Sequence, residues 1–273
     1  MVCRDLLMRT RVSDVMTPCS TFVNPHDLVT RARSVMRTSG LRTLPVLDGD
    51  GGLAGIITAR QLLRITSTRS NIPVSGLMLT PRLVATSNDN ISKLVKDMIE
   101  LEISLVPVVR RPGDQTVVGV VRLNDILHHV ARSLKSVGLT VGDVMTEEVV
   151  SCNPDDEISK VWDIMEERCC SGLPVTRYNR PKHEIEVMGV ITRSDIIRSG
   201  ATRLAEESDK GRFRSPPRVQ SLMRTPAIVA TPSMPLSDAV DLMFKRNIGR
   251  LPVVEQGKLM GIITRGDAVK ACM

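Results

Sequence analysis

Three segments of the chain place apolar residues on one face of a helix. In each, apolar side chains recur with the i, i+3, i+4, i+7 spacing of an amphipathic helix. A fourth segment, ending near Met36, has a weaker stripe because Arg33 interrupts it. The pattern predicts core-facing helices, and the regular stripes are Ile91, Leu94, Val95 and Met98; Ile158, Val161, Trp162 and Met165; and Leu236, Ala239, Val240 and Met243.

Two short apolar runs follow each of these segments. The first run passes through a Pro, as in Leu-Pro-Val-Val at residues 251–254, and the second begins at a Gly, as in Gly-Val-Ile-Thr-Arg-Ser-Asp at residues 189–195. Short apolar runs bounded by turn residues are typical of strands. We therefore predict a β-α-β-β-α unit, with a surface loop between its last two strands that is longest at residues 177–186.

The unit occurs four times at fixed offsets. A Val-x-x-h-Met segment, where h is an apolar residue, opens each copy, and a Pro follows 29 residues after its Met in all four. Another Met stands nine residues before each Pro. Spacing kept in four copies indicates one supersecondary unit used repeatedly. The opening methionines are Met16, Met78, Met145 and Met223.

A unit of about 60 residues is only marginally stable alone, so we expect the copies to pair. Residues 1–135 are predicted to hold a first pair (repeats at about 8–68 and 70–133), and residues 136–273 a second pair (about 137–200 and 215–273). The polar, basic stretch at about 199–218 predicts a linker. The predicted fold class is α/β (α+β), with four β-α-β-β-α repeats.

The amino-acid composition limits the classes of ligand and partner that the chain can have. Hydrophobic residues make up 42% of the 273 positions and aromatic residues only 2%, so platforms that stack single-stranded nucleic acid are scarce. The net charge of +7 suits an anionic partner, although a solvated basic surface explains it equally well. Cys169 and Cys170 are expected to be buried thiols. Without a membrane span or a secretory pattern, we expect a soluble cytoplasmic protein with no membrane partner.

The elements Val-x-Asp-Val-Met-Thr, Leu-Pro-Val and Gly-h-h-Thr-x-x-Asp resemble the CBS (cystathionine-beta-synthase) domain family over nearly the whole chain. Two copies in this family usually pair into a Bateman module, so the resemblance implies two such modules. Four copies in one chain are similar to the gamma subunit of AMP-activated protein kinase and its archaeal counterparts. The resemblance implies adenosyl ligands (AMP, ADP, ATP or S-adenosylmethionine) bound in clefts between paired copies.

The polar turn after the last strand of each unit is the predicted ligand contact. Free N–H groups at a helix start favour phosphate, and a carboxylate one turn later can accept hydrogen bonds from both ribose hydroxyls. Thr192 with Asp195, and Thr264 with Asp267, have this pattern. The same pattern is also a capping box, which closes a helix start without any ligand.

The two weaker copies help to separate these roles. Thr58 keeps the hydroxyl while Gln61 replaces the carboxylate, which suits capping and is poor for a diol. In the other copy, Arg122 replaces the hydroxyl and becomes a candidate for phosphate contact, while Asp125 remains. A carboxylate kept without its capping partner argues for a ligand role. The third and fourth copies are therefore the predicted ligand sites.

Other contacts are implied by the resemblance. The residue before the h-Pro step often faces phosphate in this family, and the strand after the opening Met often holds adenine through its backbone, which implies residues 146–150 and 225–229. The full set of predicted ligand residues is Thr192, Asp195, Thr264, Asp267, Asp125, Arg122, Thr58, Arg42, Arg250, Gly172, Thr146, Val149, Thr225 and Ile228.

No metal spacing, nucleophile elbow, P-loop or GxGxxG pattern occurs, so we predict neither an enzyme nor a metal protein. The leading hypothesis is a regulatory, energy-sensing protein that binds an adenine nucleotide and transmits its occupancy to a protein partner, with a homodimer as a further option. One alternative is a scaffold with vestigial sites. Another is nucleic-acid binding with a steep salt dependence, through the basic residues Lys210, Arg212, Arg214 and Arg218.

Overall fold

The computed structural model describes residues 3–63, 71–179, 184–199, 207–209, 212–214 and 217–273. The helices are α1 (Cys3–Arg9), α2 (Val29–Ser39), α3 (Ala59–Leu63), α4 (Ile91–Glu100), α5 (Leu123–Leu134), α6 (Ile158–Glu167), α7 (Arg193–Ser199), α8 (Leu236–Lys245) and α9 (Arg265–Lys270). The strands are β1 (Thr43–Leu47), β2 (Leu53–Thr58), β3 (Ala85–Thr86), β4 (Leu105–Val109), β5 (Val117–Arg122), β6 (Gly172–Asn179), β7 (Glu184–Thr192), β8 (Glu207–Asp209), β9 (Arg212–Arg214), β10 (Arg250–Glu255) and β11 (Lys258–Thr264).

The predicted helical stripes are confirmed. All four predicted apolar positions are buried in α4, in α6 and in α8. The interrupted stripe also forms a helix, α2, which buries Val29, Ala32 and Met36. Its Arg33 donates to the carbonyl oxygen of Leu62 at 2.8 Å. The residue that weakens the apolar pattern therefore satisfies a carbonyl near the end of α3.

Each repeat has one antiparallel hairpin that runs through its Pro, formed by β1 with β2, β4 with β5, β6 with β7, and β10 with β11. The predicted opening strand is longer than the observed one. Only the second repeat has a strand there, β3, and the others make one parallel bridge each. The preceding residues pair with another repeat instead, as when the N–H of Arg224 donates to the Val190 carbonyl at 2.9 Å.

Two segments predicted to be irregular contain strands. In the third repeat, β6 and β7 stay paired out to Asn179 and Glu184, so most of the predicted loop at 177–186 is hairpin, and residues 180–183 lie outside the described residues. Within the predicted linker, β8 pairs with β9. The predicted bounds of the loop at 177–186 are wrong because exposed residues such as Arg177 and Tyr178 extend the hairpin without any hydrophobic alternation to detect. The linker at about 199–218 stays a prediction.

Repeats one and two contact each other through their strands, and so do repeats three and four. The residue after the opening Met of one repeat bridges the last strand of its partner repeat. The marker Gly of that strand lies against the same residue, and a Cβ on Gly55, Gly119, Gly189 or Gly261 would lie 2.9, 2.8, 2.5 or 2.8 Å from its carbonyl oxygen. This close backbone approach requires Gly. The bridged pairs are Thr17 with Val120, Leu79 with Ile56, Thr146 with Ile262, and Arg224 with Val190.

Helices connect the repeats in the other direction. Helix α5 packs against α8 and α9, while α2 and α3 pack against α7. One buried cluster joins α1, α4, α5, α8 and α9, and a disulfide between Cys3 and Cys272 lies within it. The four repeats are thus linked in a ring, alternately through strands and through helices. The domain boundaries at 1–135 and 136–273 stay a prediction.

Candidate functional site

The turn between the last strand and the last helix has the same capping geometry in every repeat. A backbone N–H at the helix start donates to an oxygen of the side chain three residues later, which satisfies one free donor of the helix. The other terminal atom of that side chain, an oxygen in Asp and a nitrogen in Gln, then decides what a ligand can contact. The donor-to-oxygen distances are 3.0 Å from Thr58 to Gln61, 3.1 Å from Arg122 to Asp125, 3.0 Å from Thr192 to Asp195 and 2.9 Å from Thr264 to Asp267.

In the second repeat both carboxylate oxygens are engaged. Asp125 accepts from Arg122 Nε at 2.9 Å and from Arg122 Nη2 at 3.1 Å. The same guanidinium also donates to Thr17 Oγ1 at 3.2 Å. The argument that Asp125 lacks a capping role is therefore wrong, because backbone and side chain of Arg122 together replace the missing hydroxyl. The Arg122 side chain is therefore bonded to Asp125 of the same repeat.

In the third repeat the carboxylate is also engaged on both oxygens. Asp195 Oδ2 accepts from the backbone and hydroxyl of Thr192. Asp195 Oδ1 accepts from Arg224 Nε at 2.9 Å, and Arg198 Nη1 lies 3.9 Å from the same oxygen. Only 7% of the Asp195 side chain is exposed. An arginine of the fourth repeat thus covers the carboxylate of the third.

In the fourth repeat one carboxylate oxygen remains open. Asp267 Oδ2 accepts from the Thr264 backbone at 2.9 Å and from the Thr264 hydroxyl at 2.8 Å. Among the described residues, no donor bonds Asp267 Oδ1. The neighbouring residue from the third repeat is Thr146, whose backbone pairs with Ile262. Of the four turns, this one leaves a partly exposed carboxylate oxygen for a diol.

Four guanidinium groups from three repeats lie close enough to influence one another. Arg42 is only partly exposed, and burial together with Arg193 and Arg265 lowers its pKa. Burial, and to a lesser degree Arg42, lowers the pKa of Arg250 to about 10. Burial also lowers the pKa of Arg265. We call these four residues the arginine cluster: Arg42, Arg193, Arg250 and Arg265.

Few acidic groups offset the arginine cluster, since burial and Arg42 lower the pKa of Arg250 more than Asp195 raises it. Arg193 pairs with Glu166 at 3.1 Å, and Glu166 also pairs with Arg60 of the first repeat. Within the described residues, Arg42, Arg250 and Arg265 form no salt bridge. The Nε atoms of Arg193, Arg250 and Arg265 are buried and have no hydrogen-bond acceptor there. Burying like charges without counter-ions is unfavourable, so the cluster is suited to an anion.

Arg250 connects the cluster to two repeats. It is paired in register with Thr264, next to the open turn of the fourth repeat. Its guanidinium crosses to the third repeat, donating to the Gly172 carbonyl at 2.6 Å and to the Ser171 hydroxyl. A Cβ on Gly172 would lie 2.6 Å from Arg250 Nη1. The Arg250 guanidinium therefore packs directly against the backbone of Gly172.

The residues predicted to hold adenine divide between two environments. Thr146 and Thr225 are exposed, and the Thr225 hydroxyl donates to the Met188 carbonyl at 2.9 Å. Val149 is partly buried, whereas Ile228 packs against the shared core. The neighbouring Val229 is 38% exposed. Val229 is therefore the apolar residue that this segment presents outward.

The remaining sequence predictions have mixed outcomes. Lys210 and the side chains of Arg212 and Arg214 lie outside the described part of the structure, and Arg218 donates to the Asp155 carbonyl at 3.2 Å. The prediction that Cys169 is buried is wrong, since it is exposed at a positive φ of 50° after α6, while Cys170 is half-buried.

The described part of the chain contains no cluster of metal-ligating side chains and no helix long and apolar enough for a bilayer.

The family model of the CBS domain matches residues 12–67, 74–132, 141–201 and 219–273. The chain belongs to the CBS domain family. The predicted fold class of four CBS repeats is confirmed. Among relatives of this CBS protein, protein MJ1404 of Methanocaldococcus jannaschii is 27% identical over 273 residues, covering 97% of the chain. The chain spans only 62% of the length of MJ1404.

Two further relatives cover most of the chain. A 33.4 kDa protein in the ribosomal RNA operon of Thermofilum pendens is 26% identical over 255 residues, which are 86% of this chain and 81% of that protein. The crystal structure of protein MJ1225 from Methanocaldococcus jannaschii, described as a proposed archaeal homologue of g-AMPK, matches with a TM-score of 0.80. It is 20% identical and covers 96% of this chain and 99% of that one, so the fold is shared.

Sequence reasoning missed three contributors to the site. Arg193 and Arg265 stand inside the Thr-Arg-x-Asp turns, and their recurrence at one motif position was a usable signal. Arg224 occupies the position after the opening Met, where two of the other copies have Thr. Its role depends on contact with another repeat, which spacing along the chain does not reveal.

Proposed function

We propose that this CBS protein is a non-catalytic regulatory subunit that binds an adenine nucleotide at the fourth-repeat turn. Asp267 Oδ1 would accept from the ribose hydroxyls, and the phosphate would lie toward the arginine cluster. The apolar face of Val229 offers a surface for adenine. The energy-sensing role, the partner protein and the ligand residues all belong to this proposal.

The observation that carries the proposal is the combination of an open carboxylate and uncompensated guanidiniums within one repeat. Asp267 keeps one oxygen without a donor, while Arg250 and Arg265 have no salt bridge among the described residues. A nucleotide supplies a hydrogen-bonding diol and an anion on the same molecule. Each group would then meet its complement, and the unfavourable burial of the cations would be relieved.

The charge of the cluster favours AMP, ADP or ATP over S-adenosylmethionine. That ligand carries a sulfonium cation attached to the ribose carbon that bears phosphate in a nucleotide. Placed near Arg250 and Arg265, the sulfonium would add repulsion, whereas phosphate adds attraction. Nucleotides should therefore bind more tightly.

Signal transmission would use Arg250. In the structure this side chain bonds Ser171 and Gly172 of the third repeat. A phosphate that competes for the same guanidinium would change how the third and fourth repeats pack. A ligand that binds the two arrangements with different affinity shifts the population between them, and a partner protein can read that shift.

Thermal unfolding with AMP, ADP, ATP and S-adenosylmethionine tests the proposal. A ligand present at about 100 times its Kd adds about 2.7 kcal/mol of stability, so the Tm should rise measurably with the nucleotides. Asp267→Ala should abolish the rise. The matched control is Asp241→Ala, which removes an exposed carboxylate of the same repeat that lies 3.9 Å from Lys135. An equal rise in both variants would refute the assignment of Asp267.

A further inference from the structure

The third and fourth repeats carry the same Thr-Arg-x-Asp turn in two different states. Thr192 holds one oxygen of Asp195 as Thr264 holds one oxygen of Asp267. The second oxygen of Asp195 is bonded by Arg224 at 2.9 Å, whereas the second oxygen of Asp267 has no partner among the described residues. Motif identity therefore does not make the two turns equivalent.

One position accounts for this difference. The residue after the opening Met is bridged to the last strand of its partner repeat, and it is Arg224 beside the strand that leads to Asp195 but Thr146 beside the strand that leads to Asp267. The backbone of each residue is fixed by two hydrogen bonds of 2.9–3.0 Å to the partner strand. The side chain at this position is thus held at the turn, and a long guanidinium reaches the carboxylate there.

We propose that Arg224 is a latch that closes the third-repeat site, so that the protein binds one nucleotide, at Asp267. This inference rests on the proposed function. The Arg224 guanidinium occupies the hydrogen-bonding position on Asp195 Oδ1 that a ribose hydroxyl would need. A second nucleotide binds only when that ion pair is displaced.

The surroundings of Asp195 strengthen the latch. The Asp195 side chain is 7% exposed, and Arg198 Nη1 adds a second positive charge 3.9 Å from the same oxygen. A charge-assisted hydrogen bond of 2.9 Å to a nearly buried carboxylate is stronger than the neutral hydrogen bonds offered by a diol. We expect the closed site to bind AMP at least about tenfold more weakly than the open one.

Isothermal titration of the full chain with AMP measures the number of sites. The wild type should bind one AMP per chain. Arg224→Thr, which copies the residue found at Thr146, should bind two. Asp267→Ala should bind none, and Asp267→Ala combined with Arg224→Thr should bind one. Arg246→Thr, which changes an exposed arginine of the same repeat, is the matched control and should still bind one.

The outcomes separate the latch from the proposed function. Two sites in the wild type would overturn the latch, and so would an Arg224→Thr variant that binds no more AMP than a one-site wild type. No binding in the wild type would overturn the proposed site at Asp267, and the latch would then stand or fall on whether Arg224→Thr gains a site. If Arg224→Thr unfolds, Arg224→Gln removes the charge and shortens the side chain while keeping it polar and unbranched at Cβ, and the second site should appear with that variant.

Discussion

Replacing Gly189 with Ala tests the contact on which the pairing of the third and fourth repeats depends. The added Cβ would lie 2.5 Å from the carbonyl oxygen of Arg224 and 3.3 Å from its carbonyl carbon. Contacts below 3.0 Å are essentially never seen for real Cβ atoms, and both neighbours are backbone. The strand of one repeat must therefore move by about 0.5 Å relative to the other, enough to forfeit part of each contact.

The expected loss of stability follows from what that movement disturbs. Overpacking of this kind costs about 1–3 kcal/mol. The movement also strains two backbone hydrogen bonds, from Val190 N to Arg224 O at 3.0 Å and from Arg224 N to Val190 O at 2.9 Å. Each contributes about 0.5–1.5 kcal/mol. We expect Gly189→Ala to lower the free energy of unfolding by about 2–4 kcal/mol, or the Tm by about 5–10 °C.

Thermal unfolding followed by circular dichroism measures this effect. The matched control is Gly249→Ala, because a Cβ at Gly249 meets nothing within 4 Å. The control should melt within about 0.5 kcal/mol of the wild type, as surface substitutions usually do. Equal melting temperatures for Gly189→Ala and Gly249→Ala would show that the repeats are not held in the close contact described.

Three further changes have defined outcomes. Arg250→Met should not lower the Tm of the ligand-free protein at neutral pH and should reduce the Tm gain with AMP. Burial lowers the pKa of Arg250 to about 10, so the charged side chain opposes folding below that pH. The stability of the wild type relative to the variant should therefore increase as pH rises through about 10. A lower Tm for Arg250→Met at neutral pH would contradict this account. Thr264→Val removes the hydroxyl that donates to Asp267 at 2.8 Å and should cost about 1 kcal/mol in urea unfolding, while Thr80→Val at an exposed position should be neutral. Cys272→Ser removes the disulfide to Cys3 and should lower the free energy of unfolding by about 2–4 kcal/mol under non-reducing conditions, whereas Cys169→Ser should leave it unchanged. Equal free energies of unfolding for the two variants would mean that the disulfide does not constrain the chain in solution.

The regular helices and the paired strands were predictable because they depend on local periodicity. Burial of the four predicted apolar positions in α4, α6 and α8 follows from the 3.6-residue period. The opening strand was overestimated because its residues divide their hydrogen bonds between two repeats. The hairpin of β8 and β9 was missed because its two strands contain one apolar residue, Phe213, and so show no hydrophobic alternation in the sequence.

The candidate site was predictable only as a set of motif positions. Thr264 and Asp267 form the expected turn, and the sequence places Arg250 opposite Thr264 once the strands pair. The state of each carboxylate depends on residues from elsewhere in the chain, as with Arg224 and Asp195, which are 29 positions apart. Contacts of this kind arise when two repeats pack together, so the spacing of residues along the chain does not predict them.

The cross-repeat contact of the marker glycines has a consequence for how such proteins evolve. The residue that bonds Asp195 of the third repeat is encoded in the fourth repeat, directly after its opening Met. A duplication that copied a single repeat would separate an Asp turn from the residue that bonds it, whereas duplication of a pair of repeats would keep the turn and that residue together. Duplication of pairs would therefore keep each contact intact, and we expect the position after the opening Met and the carboxylate position of its partner repeat to vary together across the family.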